Sequence, residues 1–166
     1  AEAGKLSTGT DNIFIGTEAG ENNTIGRDNV FIGEESGKSN ISGDDNVFIG
    51  EDAGYSNTNA DDNTFIGNQS GRENTIGFSN TFIGNESGWD NTEGYRNTFV
   101  GDSTGIDNSV GRLNTFVGQG AGCTTEYADY NTFIGTESGG DNNRTNGTSN
   151  ANRNTYIGVF SGFSNR

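Results

Sequence analysis

The sequence contains no proline, histidine or methionine, a single cysteine, and only 28% hydrophobic residues. Each shortage excludes something. Histidine is the one side chain whose ordinary pKa lies near neutrality, so the usual general base is missing. Cys123 is alone, which rules out an intrachain disulfide framework, and no activating neighbour marks it as a nucleophile; it reads as a free surface thiol. An ordinary globule needs roughly 45–50% apolar residues to offset chain entropy, so a compact enzyme-like fold is not expected. Positive charge is scarce as well: 9 Lys and Arg stand against 23 Asp and Glu, a formal net charge of -14. That balance argues against nucleic acid and anionic membranes, which recruit basic patches. The longest apolar runs are triplets such as Val30-Phe31-Ile32, too short for membrane insertion or a signal segment. The chain opens on Ala1, as expected of a processed chain or an excised fragment.

What is abundant is regular. Asn12-Ile-Phe-Ile-Gly16 returns as Asn29-Val-Phe-Ile-Gly33 and Asn46-Val-Phe-Ile-Gly50, and again from Asn63, Asn80, Asn97, Asn114 and Asn131, always 17 residues on. A ninth copy starts at Asn154, 23 residues after Asn131, so that interval carries six extra residues. Each copy is followed by a small residue and glycine, as at Ala19-Gly20 and Ser36-Gly37, then by a shorter echo such as Asn23-Thr24-Ile25-Gly26. One repeat is therefore two short extended runs separated by glycine turns, with no room for a helical period.

A period of this kind predicts an all-β fold, a β-solenoid (parallel β-roll or β-helix) in which equivalent residues stack at about the 4.8 Å strand spacing. The boundaries follow: a partial coil over 1–10, seven regular coils over 11–129, a coil with the insertion over 130–152, and a partial coil over 153–166. The stacked columns have physical roles. Asn12, Asn29, Asn46, Asn63 and Asn80 form an amide ladder, each side chain able to donate to its neighbour. Phe14, Phe31, Phe48, Phe65 and Phe82 begin a ring column that ends in Tyr156. Gly16, Gly33 and Gly50 mark turns, at positive φ or where coils approach closely.

Phe and Ile/Val are adjacent in every copy, and adjacent residues of a strand point to opposite faces. One column fills the coil and the other points out. Alternation does not say which is which; with the rings inside, the expected interface is Ile15, Ile32, Ile49, Ile66, Ile83, Val100, Val117, Ile134 and Ile157, a stripe that soluble monomers rarely leave open. Self-association along it is expected, and three parallel copies around a common axis would bury it.

The N-T-F-I-G-x-x-x-G units resemble the head repeats of trimeric autotransporter adhesins, the YadA-like left-handed parallel β-roll, and related repeats of bacterial and phage tail fibres. The resemblance covers residues 11–166 and rests on that one motif; the adhesin repeat typically runs N-S-V-A-I-G with a shorter period. It implies a parallel homotrimeric segment of a surface fibre, extracellular, on a cell surface or on a phage, that contacts something else.

No catalytic constellation is legible, and no enzyme activity is expected. Gly118-Gln-Gly-Ala-Gly122 looks like a phosphate loop but belongs to one ordinary coil with no helix after it. The acids Glu18, Glu35 and Asp52 share a column, preceded in their coils by Thr17, Glu34 and Glu51; stacked like charges repel, and either solvent or bound Ca²⁺ would relieve them. A second acidic column holds Asp11, Asp28, Asp45 and Asp62. Variable positions collect Tyr55, Arg72 and Trp89 in one column and Phe78 and Tyr95 in another, with Asp90 beside Trp89. These side chains could stack on sugar rings and bind hydroxyls of a surface glycan, contact a protein, or simply pack on one another. Six N-x-S/T sequons, at Asn22, Asn40, Asn68, Asn85, Asn143 and Asn146, are what so much Asn and Thr generates by chance.

An adhesive fibre segment is thus the first expectation. An ice-binding solenoid is the second, since Thr64, Thr81, Thr98, Thr115, Thr132 and Thr155 recur in one column, although Ile13, Val30 and Val47 precede them there. The insertion, residues 140–152, is expected to bulge as an exposed loop and to offer a contact site. Neither end of the sequence carries a capping helix or charged blocking strand, so coils are expected to stack across both ends, in a longer fibre or head to tail in a filament.

Overall fold

The computed structural model describes residues 2–142 and 152–164. Residues 143–151, most of the expected bulge and two of the sequons, lie outside them. The fold is an all-β parallel solenoid. Its strands are β1 (Ile13–Ile15), β2 (Val30–Ile32), β3 (Val47–Ile49), β4 (Thr64–Ile66), β5 (Thr81–Ile83), β6 (Thr98–Val100), β7 (Thr115–Val117), β8 (Thr132–Ile134) and β9 (Thr155–Ile157). Together they make one sheet in sequence order, every pair parallel and in register, so that Phe14 faces Phe31, Phe31 faces Phe48, and so on. The pairing passes across the insertion without a slip, Thr132 opposite Thr155 and Phe133 opposite Tyr156.

The middle residue of each strand points inward. From Phe31 to Phe133 the rings are fully buried, with centroids 4.8–4.9 Å apart and planes within 7° of parallel. The ladder spacing sets that stack. Small residues close the other side of the core, Ala19, Ser36, Ala53 and Ser70 among them, all fully buried. Where that residue is serine, its hydroxyl is used: Ser36 Oγ donates to the Phe48 carbonyl at 3.0 Å.

The asparagines hold each coil closed. Asn29 Nδ2 donates across its own coil to the Gly43 carbonyl at 2.8 Å, while Asn12 Oδ1 accepts the Asn29 backbone N–H at 3.0 Å. The same pair of bonds recurs at Asn46, Asn63, Asn80 and Asn97. The expected side-chain ladder is present at Asn29 to Asn12 and Asn46 to Asn29, both 3.1 Å, and bonds to backbone run beside it, because the buried carbonyl must also be paired.

A second asparagine column, in the echo, forms the true amide ladder. Asn40 Nδ2 donates to Asn23 Oδ1 at 2.7 Å and Asn57 Nδ2 to Asn40 Oδ1 at 2.7 Å. Its members also donate to the carbonyls that close the coil, Asn40 to Gly43 at 3.1 Å. This column is interrupted at Thr125, before Asn142, and the Thr125 hydroxyl turns back to the Gly122 carbonyl, so Asn108 Oδ1 is left buried without a partner. We expect Thr125→Asn to restore the rung and raise stability by about 1–3 kcal/mol, the penalty of one unsatisfied buried group; urea unfolding measures it.

The echo itself is not a strand. Each coil contributes one strand rather than the two extended runs its sequence suggests. In the echo one carbonyl serves several donors, as Ile41 O accepts the N–H of both Thr24 and Ile25 and the Thr24 hydroxyl, so the one-to-one pairing of a ladder does not form.

Candidate functional site

Because the central ring of each strand points in, both flanking residues point out. The Ile/Val column from Ile15 to Ile157 and the column from Ile13 to Thr155 therefore share one face, nine coils long, with no charged side chain in either. Ile15 is 58% exposed, Ile83 37% and Ile134 39%; Ile32, Ile49, Ile66, Val100 and Val117 are half-buried. The face changes character along its length. Both columns are aliphatic through β3, whereas from β4 onward one is threonine.

Threonine does two different things in this molecule. In the echo its hydroxyl bonds to the next coil's backbone, as from Thr75 to the Thr92 carbonyl at 2.9 Å and from Thr58 to the Thr75 carbonyl at 3.1 Å. The hydroxyls of Thr64, Thr81, Thr98, Thr115, Thr132 and Thr155 make no such bond among the described residues and are left to whatever meets the face.

Elsewhere the variable columns separate. Tyr55 lies between Lys38 and Arg72, cation to ring centroid 5.8 and 4.9 Å. Arg72 also meets Asp52 at 3.2 Å and pairs with Glu73. Further along, Asp90 lines an open groove of about 430 Å³ with Glu73, Thr92, Asp107, Ser109 and Glu126. Burial, with Glu73 and Glu126 nearby, pushes the Asp90 carboxyl above its usual range. Trp89 is half-buried, and its indole N–H is enclosed without a hydrogen-bond partner. Tyr95 belongs to another part of the surface. Its ring stacks on Phe78 at 4.8 Å and 4°, and its hydroxyl accepts from Arg112 Nη1 at 2.8 Å. The structure therefore groups Tyr55 with Arg72 and places Asp90 in the groove, but Tyr95 joins neither.

The acidic column is partly neutralised from within. Lys38 Nζ reaches Glu18 at 2.5 Å and Glu35 at 2.8 Å; these bonds, the one to Glu18 first, hold its ammonium pKa well above the ordinary lysine range. Glu34 is exposed, and Glu51 accepts from Asn68 Nδ2 at 3.1 Å. Among the described residues, no three acids, cysteines or histidines are placed together to hold a metal ion. Relief of the stacked carboxylates comes from lysine, arginine and amide neighbours. Another set of acids has a backbone task that spacing alone did not reveal: Asp44 Oδ1 accepts the Arg27 N–H at 2.7 Å and Asp61 Oδ1 the Asp44 N–H at 2.8 Å.

Two remaining candidates are engaged by the fold. The sequon residue Asn40 is fully buried with its amide committed to the ladder. Burial raises the pKa of the Cys123 thiol, which donates to the Gly140 carbonyl at 3.3 Å. No family model matches the sequence, and neither the curated proteins nor the solved structures give a match.

Proposed function

We propose that this chain is a non-enzymatic structural and adhesive segment of an extracellular or cell-surface fibre, assembled from parallel copies packed along the uncharged face, three around an axis. The observation that carries this reading is the face itself: two continuous columns without charge, open along nine strands, in a chain of net charge -14. Copies of one sign of charge approach most easily where neither presents it. Burying apolar side chains there contributes roughly 25 cal/mol per Å². The columns outside that face remain available to a cell surface or a glycan, as in the adhesin heads that the repeats resemble.

Light scattering on gel-filtered protein tests it. We expect a trimer, and we expect Ile83→Asp, at a partly exposed position, to leave the coil folded but reduce the mass toward the monomer. An unchanged mass for Ile83→Asp would remove this face from the interface. The free hydroxyls from Thr64 to Thr155 favour a second reading, in which the regular array of hydroxyls and methyls lies against ice. A monomer that shapes ice crystals and shows thermal hysteresis would select that reading over the fibre.

A further inference from the structure

Two columns run along a different edge, just before each strand asparagine. The first holds Arg27, Asp44, Asp61, Phe78, Tyr95, Arg112 and Asp129. The second starts at Asp11 and passes through Asp28, Asp45, Asp62 and Ser79 to Arg96, Leu113, Tyr130 and Arg153. Every residue of the second column has φ between 54° and 61°, so all nine repeat one backbone geometry and point alike. The edge is segregated by charge: mostly acidic before β5, arginine and aromatic after it.

Arg112 pairs within its own chain with Asp129 at 3.2 Å, but two other arginines of the edge are poorly matched. Arg96 lies over the Phe78 ring at 5.9 Å and Arg153 over Tyr130 at 5.4 Å, and neither forms an ion pair among the described residues. In a chain with 23 acids and 9 bases, an unpaired arginine over a ring is an unspent contact. Asp28, Asp45 and Asp62, in the same column, are exposed.

We propose that this edge binds a second copy of the chain running antiparallel, with the twofold axis at β5, beside Phe78 and Ser79. The register follows from the sequence of charges. Turning one copy about β5 sets Arg27 opposite Asp129 and Asp44 opposite Arg112 in the first column, and Asp61 opposite the Tyr95 hydroxyl. In the second column Asp62 meets Arg96, Asp11 meets Arg153, and Asp28 meets the Tyr130 hydroxyl. Phe78, 39% exposed, meets its own copy on the axis. Neither column then opposes two like charges. Across the columns, Asp61 meets Arg96 and Asp45 meets Arg112; Asp28 and Asp129 are the one like-charged pair, with Arg27 and Arg112 adjoining.

Other arrangements fail on the same count. Shifting by one coil opposes Asp44 to Asp129 in one direction and Arg27 to Arg112 in the other. A parallel, in-register approach sets every charge against itself. The axis at β5 is also the middle of the nine strands, so the matched register is the one with full overlap. A self-complementary patch of this kind is what an isologous contact requires. It goes beyond the fibre reading and uses other side chains than the Ile/Val face: it would tie two fibres side by side, or pair two chains if the face stays open.

Cysteine pairing in a Cys123→Ser background tests the geometry. Ser79→Cys, on the axis, is expected to form a disulfide-linked dimer on mild oxidation. Leu113→Cys is expected not to link to itself but to link to Asp45→Cys when the two are mixed. Self-linking of Leu113→Cys as readily as Ser79→Cys, or no link between Asp45→Cys and Leu113→Cys, overturns the proposal. Sedimentation at low salt tests the charges. Arg96→Asp should weaken the edge contact about tenfold, since each copy loses the attraction of Arg96 to Asp62 and Asp61 and gains a repulsion in its place. Asp62→Arg with Arg96→Asp should restore it, whereas Asp45→Arg with Arg96→Asp, of equal net charge, should not. Equal recovery in both double variants would mean that net charge alone governs association and overturns the register. Performing these measurements in Ile83→Asp keeps the outcome separate from that of the face.

Discussion

Replacing Phe82 with alanine is expected to lower the stability of the chain by about 3–5 kcal/mol, the range for deleting a buried ring. The ring is fully buried on β5, stacked between Phe65 at 4.9 Å and Phe99 at 4.8 Å. A solenoid coil contacts only its neighbours, so the cavity weakens two junctions in the middle of the stack. The backbone cannot collapse into it, because the hydrogen bonds to β4 and β6 fix the coil spacing. Urea unfolding followed by circular dichroism measures the loss. Phe14→Ala, in a coil where the ring is only partly buried, should cost less; equal losses at the two positions would mean that burial in the stack is not what the rings contribute.

Gly84→Ala should be comparably damaging although it adds a single methyl group. Gly84 has φ 139°, and a Cβ there would lie 2.3 Å from the Gly101 carbonyl oxygen and 2.5 Å from its carbon. Both obstacles are backbone of the next coil, held by the sheet, so neither can swing aside. Strained φ contributes about 1–3 kcal/mol and overpacking about 1–3 kcal/mol, together about 2–6 kcal/mol. Hydrogen exchange should show the effect concentrated in β5 and β6. The contrast with Ile83→Asp is instructive: one residue earlier, a far larger and charged change is expected to act on assembly and spare the coil, because its side chain leaves the core. If Gly84→Ala were neutral, the close approach of successive turns could not be what reserves this column for glycine.

Much of this was legible in the sequence because a solenoid repeats each local decision. Asn12, Phe14 and Gly16 return every 17 residues, and a residue type that recurs at one register must satisfy one geometry. The parallel stack, the turn glycines and the opposite facing of the Phe and Ile/Val columns follow from that periodicity and from the alternation of a strand, while burial in the structure puts the rings inside. The sequence also shows the break in the echo at Thr125, but not what the break costs; only the position of Asn108 Oδ1 reveals an acceptor without a donor.

What the tertiary structure decided is where each polar group spends its hydrogen bonds. The two asparagine columns look alike in sequence and both close the coil, yet the first gives its Oδ1 to the backbone N–H of the next coil while the second gives its Oδ1 to the next amide. Two threonine columns look alike too, one consumed by the backbone and one left open on the face. Stacked aspartates that suggest repulsion turn out, at Asp44 and Asp61, to cap backbone N–H groups of the preceding coil. Tyr55, Trp89 and Tyr95 all appear as variable aromatics, and only folding sorts them between a cation sandwich, a half-buried site and a surface ring pair. Period fixes which residues stack because each coil lies parallel and in register on the one before it. Which atoms within a coil face one another depends on how the chain turns its corners, and that is set by three-dimensional closure rather than by spacing along the chain.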